Sequence, residues 1–129
     1  MKKLIFAIDF DGTIVENKYP LVGDLLPHAK ETINWLYDQG HTIIIWTCRY
    51  TREDLNSMEQ FLNYNKIKFH KINENADQIQ QGSFCPTPKI FADIYLDDRG
   101  LMFIPDWGLI KSILEKRKEI KKEKENEHL

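Results

Sequence analysis

A chain of 129 residues, 42% hydrophobic and 29% charged, has the size and balance of one globular domain with a single core. Its formal net charge of −2 gives no bulk electrostatic reason to expect nucleic acid or an anionic membrane as partner. No stretch approaches the roughly 20 apolar residues that a membrane span needs, and the apolar run behind the basic start MKK ends at Asp9, too early for a signal-peptide core.

Residues 3–8, KLIFAI, are expected to form a buried strand, since the run is short, apolar and closed by a glycine-containing turn. NKYPLVGDLLP (17–27) is punctuated by Pro20, Gly23 and Pro27 and is expected to be loop. Pro27 suits the first turn of a helix whose inner face is Ala29, Ile33 and Leu36, with Gly40 just beyond its end. HTIIIWT (41–47) is a second buried strand, and Thr51 with Asp54 forms a capping box that opens a helix lined by Leu55, Met58 and Leu62. KFHKI (68–72) is a weak third strand, 73–88 is connection, FADIYLDD (91–98) is a fourth strand ending in acids, and LMFI (101–104) is a candidate fifth. A last helix is expected from about Pro105, with Ile110, Ile113 and Leu114 facing inward, and residues 118–129 form a charged tail that continues it. Residues 1–117 then make up the folded domain.

Alternating strands and helices imply an α/β fold, a three-layer Rossmann-like sandwich with a mainly parallel sheet. In such sheets ligands bind at the carboxyl ends of the strands. Here the first strand ends at Asp9, the second at Thr47 and the fourth at Asp97, so three polar clusters fall on one edge. Asp9, Asp11, Asp97 and Asp98 place up to four negative charges there. Close carboxylates raise one another's pKa or share a cation, and hard oxygen donors favour Mg²⁺. A divalent ion with a lysine nearby would attract phosphate oxygens, and a carboxylate can attack phosphorus to form an acyl phosphate. Asp9 and Asp11 could then divide the work, one acid serving as nucleophile and the other as proton carrier.

DFDGT (9–13, as D-F-D-G-T) resembles motif I of the haloacid dehalogenase-like phosphohydrolases, and IIIWTCR resembles their motif II. Lys89 stands where motif III supplies a lysine, and IYLDDR resembles the DD form of motif IV. All four occur in the family's order over roughly residues 4 to 107. The resemblance implies that Asp9 is the nucleophile and a metal ligand, and that Asp11 is the general acid/base whose backbone carbonyl meets the metal. It implies that Thr47 and the Cys48 backbone N–H bind the transferring phosphoryl group, that Lys89 balances charge on the phosphate and on Asp9, and that Asp97 and Asp98 complete or support a Mg²⁺ site. The family's cap insertions have no room here, between Asp9 and Thr47 or between Ile72 and Lys89, so an open, capless site is implied. The flap from Gly12 to Gly23 and the 73–87 loop would then hold substrate selectivity.

Competing patterns fit less well. A calcium-binding EF-hand loop needs a third ligand before its glycine and a Glu at the twelfth position, but Gly12 follows Asp11 and Pro20 holds the twelfth place. Cys48 lacks the Arg six residues on that a cysteine phosphatase loop requires, that residue being Asp54. Arg49 and Arg52 lie where they could reach a substrate phosphate, which keeps open a nucleic-acid end phosphatase, and a phosphate-binding module without turnover is a further alternative. His28, His41, His70 and His128 show no ligand spacing, and Trp35, Trp46 and Trp107 are expected in the core. Cys48 and Cys85 form no CxxC pair, consistent with a reduced, cytoplasmic setting.

Overall fold

The computed structural model describes residues 2–79, 89–100 and 106–127, with side chains of the last helix described to residue 117. The elements run β1 (Ile5–Ile8), α1 (Ala29–Asp38), β2 (Thr42–Ile45), α2 (Arg52–Tyr64), β3 (Lys71–Ile72), β4 (Ile94–Leu96) and α3 (Trp107–Glu127). The strands form one sheet in the order β3-β2-β1-β4, and every pairing is parallel. Central β1 is buried along its whole length, as an apolar run without alternation requires in a sheet covered on both faces. This is the expected α/β class, a Rossmann-like sheet, and no cap domain occurs among the described residues.

The two faces are covered differently. Phe6 and Ile8 of β1, with Ile43 and Ile45 of β2, face a core that receives Ile33 and Leu36 from α1, Met58 and Leu62 from α2, and Trp107 and Ile110 from α3. Each such aliphatic side chain contributes about 1.5–3 kcal/mol on burial. Ile5, Ala7 and Ile44 point the other way and pack on Ala76, Ile90 and Ala92, which belong to the connection between β3 and β4.

Local signals set the helix ends. Thr51 caps α2, its side chain accepting from the Asp54 N–H at 3.1 Å, as the capping box requires. Beyond α1, Gly40 takes φ +91°, its N–H bonds to the Tyr37 carbonyl at 3.0 Å, and the His41 N–H reaches back to Leu36 at 3.2 Å. This paired closure needs a left-handed residue, and glycine adopts that conformation without strain. The N-terminus of α1 departs from expectation. The helix begins at Ala29 rather than at Pro27, because His28 has φ 64° and offers no side-chain cap.

The strands are shorter than the apolar runs suggested, and the weak third strand reduces to Lys71–Ile72. The candidate fifth strand, 101–104, lies outside the described residues. In α3, Ile110 is buried and Leu114 partly so, but Ile113 is 55% exposed, a correction to its inward assignment. The helix seats on Trp107, Ile110 and Leu114, and Ile113 lies on the flank of that stripe. Trp107 is fully buried, while Trp35 and Trp46 are only partly so. His41 and His70 serve the backbone, each Nδ1 accepting an N–H at 3.0 Å, from Leu4 and Ile43 respectively. No helix among the described residues is long and apolar enough to cross a membrane.

The indole N–H of Trp107 donates to the buried Thr13 carbonyl at 2.7 Å, tying α3 to the turn after β1. Trp107→Phe keeps most of the packing but orphans that carbonyl, so urea denaturation should show a loss of about 1–3 kcal/mol. Ile113→Ala, on the exposed flank, should change stability by less than about 0.5 kcal/mol.

Candidate functional site

The parallel register brings the ends of three strands to one level. Ile8 pairs with Ile45 of β2 and with Leu96 of β4, so the next residues, Asp9, Trp46 and Asp97, emerge side by side. The ladder continues one step further: the Asp9 N–H bonds to the Leu96 carbonyl at 2.9 Å and the Trp46 N–H to the Ile8 carbonyl at 2.8 Å. A rigid β-frame thus holds the backbone of Asp9, and the acids of the first and fourth strands meet without needing a loop to fold over them.

Asp9, Asp97 and Asp98 each offer one carboxylate oxygen, and these three oxygens lie within 4.8 Å of one another. Three half-buried carboxylates so close are costly unless their charge is shared. The cost falls on Asp9, whose carboxyl is pushed up to about 7, first by burial, then by the charge of Asp97 and a hydrogen bond with Asp98, with the Phe10 backbone amide pulling the other way. Asp98 Oδ1 is buried without a hydrogen-bond partner. Gly12, at φ +88°, packs so tightly on Asp98 that an added Cβ would run into its carboxylate. Three hard oxygen donors this close, in a cluster that also holds a buried carboxylate oxygen without a partner, fit a small divalent cation such as Mg²⁺, which needs few protein carboxylates and keeps several waters. Thr13, itself buried, donates its hydroxyl to Asp9 Oδ2 at 3.3 Å.

Asp11 stands apart from this cluster. Both of its oxygens are held by Arg49, Oδ2 by Nε at 2.8 Å and Oδ1 by Nη2 at 2.7 Å. This bidentate pair is sequestered, with the Arg49 side chain 1% and that of Asp11 15% exposed. Removing one partner of such a buried pair costs about 3–5 kcal/mol, because the other charge is left uncompensated. One expectation is corrected here: the Arg49 guanidinium, expected within reach of a substrate phosphate, is buried and its fork is spent inside the protein.

Thr47 lies at the rim, two residues beyond β2. Its backbone is clamped by one side chain, the N–H donating to Asn73 Oδ1 at 2.8 Å and the carbonyl accepting from Asn73 Nδ2 at 3.0 Å. The Thr47 Oγ1 accepts the Arg49 N–H at 3.1 Å, which leaves the hydroxyl hydrogen free to donate outward. Cys48 is exposed beside it. Lys89 is not joined to Asp9 by an ion pair or hydrogen bond; its exposed ammonium sits over the Tyr95 ring, 5.0 Å from the centroid. Arg52 is exposed on the first turn of α2 and makes no ion pair among the described residues. Most of the 73–87 loop's second half falls outside the described residues.

The sequence assigns no role to Thr13 or Asn73 and does not pair Tyr19 of the flap with Asp54 of the α2 capping box. Thr13 is the last residue of DFDGT, so motif position pointed to it. Asn73 adopts φ 54°, a conformation that asparagine tolerates better than most residues, but nothing local in NEN marks it as the clamp of a strand 26 positions earlier.

Asp9 makes stability depend on pH in a definite direction. Its folded pKa of about 7 lies above the ordinary 3.8, so its stabilising contribution is full below the ordinary value and is lost as pH rises through about 7. In metal-free protein, the Tm of wild type relative to Asp9→Asn should therefore fall across that window. Magnesium should raise the wild-type Tm most at the alkaline end, where it no longer competes with the proton, and Asp9→Asn should lose most of this response. Asn73→Ala should lower Tm and free Thr47; thermal melts and the Thr47 amide exchange rate check both.

A scan of family models finds no match to the chain, and a search of curated proteins finds none either. Among solved structures, that of a conserved protein coded by a locus of Bacteroides thetaiotaomicron aligns with a TM-score of 0.80 at 32% sequence identity, over 90% of this chain and 93% of that one. Identity of this level across nearly the whole of both chains shows common descent as well as a common fold. The chain belongs to the same family as that conserved Bacteroides protein.

Proposed function

We propose that the chain is a magnesium-dependent phosphohydrolase of the haloacid dehalogenase-like type, cleaving phosphate monoesters through an aspartyl-phosphate on Asp9. The observation that carries this reading is the convergence of Asp9, Asp97 and Asp98 at the carboxyl edge of β1 and β4, with one buried carboxylate oxygen unpartnered. Acids that merely capped surface turns would have no reason to surround a common point.

A divalent ion bound there would offset the charge of phosphoryl oxygens and favour the ionised, nucleophilic form of Asp9. An Asp9 oxygen attacks phosphorus while the bond from phosphorus to the leaving oxygen breaks, and that oxygen takes a proton from Asp11. Water then attacks the phosphorus of the aspartyl-phosphate and gives its proton to Asp11, releasing phosphate and restoring Asp9. To carry the proton, an Asp11 oxygen exchanges one of its two Arg49 hydrogen bonds for an O–H. The Thr47 hydroxyl and the Cys48 backbone N–H donate to the phosphoryl oxygens, and Lys89 adds positive charge once its flexible stem leaves Tyr95. Of the two arginines that motivated a nucleic-acid substrate, Arg49 is buried and Arg52 alone is exposed, so a small phosphorylated molecule is the favoured class. The exposed, unpaired Cys48 suits a reducing, cytoplasmic setting.

Asp9→Asn should lower hydrolysis of an aryl phosphate by more than about a thousandfold while circular dichroism shows the fold intact. Undiminished turnover in that variant would move the nucleophile elsewhere. Chelation by EDTA should stop the reaction and magnesium should restore it. A panel of sugar phosphates, nucleotides and a 3′-phosphorylated oligonucleotide separates the substrate classes; phosphate binding with no hydrolysis across the panel would favour a binding module instead.

A further inference from the structure

We infer that Arg49 is a positioning residue that holds Asp11 and the flap together as one unit on the leaving-group side of the site; its consequence for turnover rests on the phosphohydrolase reading above. A guanidinium has five N–H donors in a fixed plane, and here all five have acceptors. Nε and one Nη2 hydrogen take the two oxygens of Asp11 at 2.8 and 2.7 Å. The remaining donors reach the carbonyl of Leu21 at 3.2 Å, of Pro20 at 3.3 Å and of Asp54 at 3.4 Å.

The guanidinium carbon also lies over two rings, 5.5 Å from the centroid of Phe10 and 5.1 Å from that of Tyr19. Tyr19 is fixed in turn, its hydroxyl donating to Asp54 Oδ2 at 2.8 Å. One side chain therefore joins the turn after β1, the flap at 19–21 and the start of α2. No donor is left over for substrate. The same grip keeps the Asp11 carboxylate away from the acid cluster, so three carboxylates serve the cation and the fourth serves the flap side, where a leaving group would depart. A lysine preserves the charge, but its three donors radiate from one point and cannot span these acceptors.

The full chain with magnesium provides the test. In Arg49→Lys, hydrogen exchange of amides in 17–25 is expected to rise by at least about tenfold, while the magnesium-induced rise in Tm, which reports Asp9, Asp97 and Asp98, is retained. On substrates, kcat for phenyl phosphate should fall at least about tenfold more than kcat for 4-nitrophenyl phosphate, because nitrophenolate departs with little help from a proton donor. KM for both should change far less, since the cation side is untouched. Should Arg49→Lys fail to fold, Tyr19→Leu, which removes the ring and its bond to Asp54, should raise exchange in the same segment by at least about threefold. Unchanged exchange in 17–25, loss of the magnesium response, or equal losses on the two esters would overturn the inference. A wild type that cleaves neither ester refutes the phosphohydrolase reading alone, and exchange with the magnesium response then decides the positioning role.

Discussion

Four carboxylates gathered at one end of a small sheet can be held in a folded chain only if their charge is divided among partners, and the rest of the site follows from that division. Asp11 is given to Arg49, which neutralises it through two short hydrogen bonds inside the protein. Among the described residues, Asp9, Asp97 and Asp98 form no ion pair with a cationic side chain. Their mutual repulsion and burial show up as the raised pKa of Asp9. A cation held among these three acids would offset their repulsion, and that is the physical core of the proposed chemistry.

The sheet makes such an arrangement rigid. Hydrogen bonds from Asp9 to Leu96 and from Trp46 to Ile8 extend the parallel ladders beyond the strands proper, so the backbone beneath the acids does not depend on loop conformation. Away from the ladder, single side chains take over the same task. Asn73 fixes the peptide groups on both sides of Thr47, and Trp107 fixes the turn that carries Thr13. Preorganised donors and acceptors of this kind matter most in phosphoryl transfer, where positioning and charge stabilisation supply most of the catalysis.

The unequal covering of the two sheet faces bears on access. Three helices converge on the face lined by Phe6, Ile8, Ile43 and Ile45, whereas the opposite face is covered by the β3–β4 connection through Ala76, Ile90 and Ala92. The flap after β1 is short and is bound to Arg49, so among the described residues it forms a fixed wall rather than a hinged cap. Its Tyr19 and Leu21 are exposed.

The amino-acid sequence by itself determined the α/β class, the mainly parallel sheet, the capping of α2 and the meeting of Asp9 with Asp97, because each depends on run length, local turn chemistry or strand-end position. It over-extended β4 and turned Ile113 inward, since a run of apolar residues says how much can be buried but not which flank a neighbour leaves open. Only the tertiary structure decided how the acids are partnered. Asp11 and Arg49 are 38 positions apart, and spacing placed Arg49 either within reach of a substrate phosphate or acidic group or simply on the surface. Charge pairing depends on side-chain direction and on which oxygens water can still reach, and both are properties of packing. Lys89 illustrates the same limit: its place ahead of β4 was legible, but the partner of its flexible ammonium, the Tyr95 ring, is set by geometry that linear order does not contain.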